Sequence, residues 1–143
     1  MTPILSGRFQ TRVFVLLTVG VIWTLLVVPL LPGTGGAPIG EVYKLAYQAL
    51  AVVLVLGLAW ECLYQFLMMI RWEKDWPALF QLLTGISEGF TAFWVLSALR
   101  DAPVPGAAFA WLFATTWLVT FLFLNTIMRV LFVRWRFRGG RIL

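Results

Sequence analysis

The stretch Leu45–Ile70, LAYQALAVVLVLGLAWECLYQFLMMI, decides the fold. Its 26 residues hold one charged side chain, Glu61. As a helix it is about 39 Å long, more than the roughly 30 Å of a hydrocarbon core. Tyr43, Lys44 and Tyr47 mark one end as an interfacial belt. Beyond the other end lies the short polar run Arg71-Trp72-Glu73-Lys74-Asp75-Trp76-Pro77, whose two tryptophans suit the headgroup level. Pro77 suits the first turn of a following helix.

Working outward, three more apolar runs appear. The segment 78–99 follows the polar loop and ends at Arg100-Asp101-Ala102-Pro103-Val104-Pro105-Gly106, a turn-forming stretch. The segment 107–133 is longer than a bilayer requires and must tilt or project beyond it. On the N-terminal side, Val13–Leu31 is preceded by Arg8 and Arg12 and stopped by Pro32-Gly33-Thr34-Gly35-Gly36. At 19 residues this run exceeds the 7–15 or so of a signal-peptide core and reads as a spanning helix. The expected architecture is therefore an all-α integral membrane protein. It is a single domain, 1–143, in which helices 13–31, 45–70, 78–99 and 107–133 form an antiparallel four-helix bundle with a basic tail, 134–143.

Composition agrees. Hydrophobic residues make up 62% and charged residues 12% of the 143, where soluble domains average about 45–50% and 25%. A soluble fold of this size has too little interior for that much apolar surface. The net charge of +5 is concentrated at the ends of apolar runs, which argues for topology rather than nucleic-acid binding. One side carries Arg8, Arg12, Arg71, Lys74, Arg134, Arg136, Arg138 and Arg141, with Arg129 near it; the other carries Lys44 and Arg100. The positive-inside rule then puts both termini in the cytoplasm, in a membrane of the bacterial cytoplasmic type.

The absence of histidine removes histidine-ligated metal, haem and general-base chemistry. The lone Cys62 forms neither an intrachain disulfide nor a CxxC pair and reads as a small core residue. No nucleophile lies beside an identifiable base, and no phosphate loop is present. The chain reads as a non-enzyme with no metal or cofactor.

Two glutamates carry the functional interest. A carboxylate at mid-membrane costs about 2.5–3.5 kcal/mol on insertion scales, so it must face protein or water. Glu61 and Glu88 are placed symmetrically about the Arg71–Pro77 loop, so in an antiparallel hairpin they share one depth. Helical spacing sets Gly57, Tyr64, Gln65 and Met68 with Glu61, and Gln81, Thr84, Gly85 and Thr91 with Glu88. Asn125 and Arg129 of the last helix lie near that depth, with Arg129 able to reach a carboxylate or the interface. The patch reads either as a hydrogen-bonded interhelical clamp or as a proton or cation site, because two close carboxylates do not both stay ionised easily.

Gly85 and Gly89 form a GxxxG spacing that permits close helix contact, within the chain or between copies. The loop residues Trp72, Glu73, Lys74, Asp75 and Trp76 form a compact tip suited to docking a partner. Arg134, Arg136, Arg138 and Arg141 alternate with Trp135 and Phe137 before a flexible Gly139-Gly140 hinge, a pattern suited to anionic lipid headgroups. Two functional expectations follow. One is a non-enzymatic subunit that forms a homo-oligomer or anchors a membrane complex. The other is a small oligomeric proton or cation channel or transporter built on the glutamates.

Overall fold

A computed structural model describes residues 4–70 and 78–142, apart from the Arg136 side chain. The docking-tip residues Trp72, Glu73, Lys74, Asp75 and Trp76 fall outside the described residues. Among those described, four helices are long and apolar enough to cross a membrane: α1 (Leu5–Leu30), α2 (Ile39–Ile70), α3 (Ala78–Leu99) and α4 (Gly106–Leu131). A short helix, α5 (Val133–Phe137), follows. The chain is an all-helical bundle of the membrane-embedded kind.

The boundaries differ from the apolar runs in an informative way. Helix α1 begins at Leu5 rather than near residue 13, so Arg8 and Arg12 lie inside it. Hydropathy alone does not call for these two extra turns of LSGRFQTR. Tertiary contacts hold them, as described below. Helix α2 begins at Ile39 because the Pro38 carbonyl accepts from the N–H groups of Glu41 and Val42. Glu41 then stands in the first turn, where the helix dipole favours negative charge.

Within α1, a π-helical turn spans Leu16–Gly20. The buried positions Gly7, Thr11, Val15, Gly20, Thr24 and Val27 are mostly four apart. On an uninterrupted 3.6-residue helix that stripe would drift around the surface; one wider turn brings it back to the core. Helix α4 breaks at Thr126, where φ is −117° and ψ −79°. Asn125 Nδ2 and Thr126 Oγ1 donate back to the Phe121 and Leu122 carbonyls, 2.9 and 2.6 Å away, in competition with the regular ladder.

The α2 core stripe runs Val42, Ala46, Ala49, Val53, Gly57, Tyr64 and Met68. At the Pro-rich end of the bundle it packs with Ala92 and Leu96 of α3 and Phe109 and Leu112 of α4 in one apolar cluster. The opposite faces, with Leu26, Val55, Ile86, Phe90 and Trp94, are exposed, as surfaces bathed in lipid would be. Cys62 belongs to those exposed faces and not to the core expected from its apolar neighbours.

Both termini meet at the other end. Ile4 N donates to the Gly139 carbonyl at 2.9 Å, Thr11 Oγ1 to that of Gly140 at 2.9 Å, and Trp135 Nε1 to Thr11 Oγ1 at 2.7 Å. Ile142 N donates to Gln10 Oε1 at 3.0 Å. Gly139 and Gly140 have φ of 64° and 86°, values that side chains disfavour. The expected flexible hinge is thus a docked turn, seated against Gly7, where a Cβ would strike the Gly139 carbonyl. Arg134, Arg138 and Arg141 remain exposed, as headgroup contact requires, with Arg141 also donating to Ser6.

Candidate functional site

The site is assembled by three helices. Arg8 and Arg12 are four apart on α1, so they project from one face on successive turns. Arg8 Nη1 donates to Glu61 Oε2 at 2.8 Å, and Arg12 Nη1 to Glu61 Oε1 at 2.9 Å. Arg12 Nη2 pairs with Glu88 Oε2. The other Glu88 oxygen accepts from Tyr64 Oη at 3.0 Å. All four carboxylate oxygens therefore receive a donor, and one guanidinium bridges the glutamates of α2 and α3.

The network is deeply set. Glu88 is 2% exposed, and the side chains of Arg12, Arg8 and Glu61 are 9%, 11% and 15% exposed. Two positive and two negative charges leave it neutral, the condition under which buried ions are tolerated. Packing makes its room. A Cβ on Gly57 would collide with the Arg12 guanidinium, and one on Gly85 with the Trp117 indole. The Arg12 guanidinium carbon lies 5.9 Å from the centre of the Trp117 ring, within cation–π range. Trp60 stacks on Tyr64 at 5.6 Å and donates to Thr91 Oγ1 at 3.2 Å.

The other expected residues separate. Gln65 and Gln81 are half-buried; Gln65 Oε1 has no hydrogen-bond partner among the described residues. Thr84 donates to the Gln81 carbonyl at 2.9 Å. Arg129 donates to Asn125 Oδ1 at 3.1 Å instead of reaching a carboxylate. Gly85 and Gly89 face Trp117 and Phe113 of α4, so this GxxxG spacing serves packing within the chain. Arg8 and Arg12 were not among the residues the sequence singled out. Their signal was present: Glu61 and Glu88 need counter-charges, and an arginine pair four apart is a helical face.

Beside the network lies a cavity of about 440 Å³. Arg8, Arg12 and Glu61 form part of its wall, together with Thr11, Thr24, Thr116 and Thr120. Little in the sequence marks these threonines: Thr24 and Thr120 sit singly in apolar runs, Thr116 follows Thr115 in one, and Thr11 lies in the polar lead-in to α1. No protein-family model matches the chain, and no curated protein or solved structure matches it. Geometry alone carries the functional reading.

Proposed function

We propose that the chain is a non-enzymatic membrane subunit, a rigid bundle that anchors or organises a membrane assembly. The observation that carries this reading is the complete engagement of Glu61 and Glu88 by Arg8, Arg12 and Tyr64. A carboxylate whose oxygens all accept from guanidinium or phenol donors offers no free oxygen to a passing cation. The intramembrane charges are spent on one another and lock α1, α2 and α3 into one body. What remains for function is the lipid-facing surface and the basic end, where Arg134, Arg138 and Arg141 are exposed. In this reading the basic end faces the cytoplasm, against anionic headgroups, and a second copy or a membrane partner packs on the helices.

The test is purification at native expression into lipid discs, with mass determination and identification of co-purifying chains. The expected result is a particle larger than one chain plus lipid, which persists in Glu61→Gln/Glu88→Gln protein that retains its fold. A lone chain in the disc, together with proton or cation flux in liposomes that this double variant abolishes, would overturn the proposal in favour of a channel.

A further inference from the structure

The cavity is graded along its length. Toward the Pro-rich end its wall is mostly apolar, with Ala49, Val53, Phe109 and Leu112 beside Thr24 and Thr116. Toward the terminal end it is polar: Arg8, Arg12 and Glu61 belong to the neutral network, and Arg129 adds a positive charge beyond it. Arg129 also lines the cavity while being exposed, so the cavity reaches the surface there. Among the described residues Arg129 has no carboxylate partner, only Asn125.

Several polar atoms in this wall are buried and unused. Arg12 Nε, Arg8 Nε, Thr116 Oγ1 and Thr24 Oγ1 have no hydrogen-bond partner among the described residues. Thr24 is 0% and Thr116 7% exposed. A buried donor left without a partner costs about 1–3 kcal/mol, so such groups in one wall point to an occupant. A bound water needs two to four polar partners, and beside Ala49, Phe109 and Leu112 the unpartnered groups are only the hydroxyls of Thr24 and Thr116. The volume lies within the 300–1,000 Å³ or so of small-molecule sites.

We propose that the cavity binds a single-chain anionic amphiphile. Its apolar chain lies between Val53, Phe109 and Leu112, and its anionic head sits at Arg129. An anion is selected over a cation because Arg129 has no carboxylate partner among the described residues, whereas Arg8 and Arg12 are balanced by Glu61 and Glu88. The adjoining apolar pocket beside Leu31, Val42 and Leu45 holds about 10 Å³, too little for a second acyl chain. The shared chemistry, one chain and one negative head, is met by a free fatty acid or by a lysophospholipid.

The experiment uses the full chain in phosphatidylcholine discs at about pH 8, where a fatty acid in water is ionised, with palmitate, lysophosphatidylglycerol and uncharged hexadecan-1-ol as probes. Saturable binding of one amphiphile per chain is expected by native mass spectrometry. Hexadecan-1-ol should bind about tenfold more weakly or worse, and Arg129→Gln should lower the affinity of the anionic probe by about tenfold, as loss of a charge-assisted hydrogen bond implies. Leu112→Trp should abolish binding by filling the cavity, with Thr116→Leu as a second filler should the first misfold. Tighter palmitate binding assigns a free fatty acid, and tighter lysophosphatidylglycerol binding a lysophospholipid. Saturation by neither anion, equal affinity for hexadecan-1-ol, or an unaltered affinity in Arg129→Gln would overturn the proposal, the first leaving a water-filled cavity and the other two a site that does not read the charge.

Discussion

Arg12 is the residue on which the bundle turns, because it holds two carboxylates on two other helices. Replacing it with leucine strands Glu88, which is 2% exposed. Removing one partner of a buried ion pair costs about 3–5 kcal/mol, far more than the net worth of the pair. Arg12→Leu should therefore unfold well below the parent temperature, measured by circular dichroism in detergent. Adding Glu88→Gln should recover most of the loss: it removes the uncompensated charge, keeps an acceptor for Tyr64, and leaves Arg8–Glu61 as a neutral pair. A double variant no more stable than Arg12→Leu would show that charge balance is not what holds the site. Glycines give a second contrast at this scale. Gly85→Ala drives a methyl into the Trp117 ring, an overpacking cost of about 1–3 kcal/mol, whereas a Cβ at helical Gly40 meets open space. In paired thermal melts, Gly40→Ala should match or exceed the parent while Gly85→Ala falls below it. The glutamates were legible in the sequence because a lone carboxylate in an apolar run is conspicuous. The arginines were not, because at the edge of an apolar run a charge that marks topology and a charge that enters the core look alike.

At the scale of elements, α3 was the most legible, since its apolar run and its helix coincide at 78–99. Helices α1 and α2 outrun their hydropathy at their N-terminal ends, whereas α4 stops at Leu131, short of the expected 133. Helix α1 shows why: its first two turns are polar, and contacts distant in sequence hold them, namely Arg8 and Arg12 on α2 and α3 and Gly7 and Thr11 against the C-terminal turn. Periodicity reports which residues prefer lipid or core, and it is silent on such partners. The docked tail gives a prediction of its own. Gly7→Leu places a bulky side chain where the Gly139 carbonyl lies, so the C-terminal turn must lift. Exposed backbone is cleaved through local opening. Limited trypsin digestion after Arg138 should then be about tenfold faster or more than in the parent, while the four long helices keep their ellipticity. Equal cleavage rates would mean that the tail is not held by this contact.

For the whole molecule, the termini share one end, and that end is basic. Subtracting Arg8 and Arg12, which serve the core, leaves Arg71, Lys74, Arg134, Arg136, Arg138 and Arg141 against Lys44 and Arg100. Arg100 is tied to Gln48 at the Pro-rich end, so it too has a structural partner. The bias thus survives the reassignment of two arginines, and the positive-inside rule still predicts that the basic end faces the cytoplasm. Cysteine labelling in intact cells checks this orientation. With Cys62→Ser as background, Pro103→Cys and Arg138→Cys place one thiol at an exposed position at each end. A membrane-impermeant maleimide should modify Pro103→Cys in intact cells and Arg138→Cys only after lysis. The reverse pattern would set the basic end outside. It would also remove the electrostatic basis for cytoplasmic headgroup contact, since the anionic leaflet attracts basic residues by about 1 kcal/mol each only where they lie within a Debye length of it. The orientation thus decides which leaflet the mouth of the cavity at Arg129 faces, and so from which side an anionic amphiphile would enter.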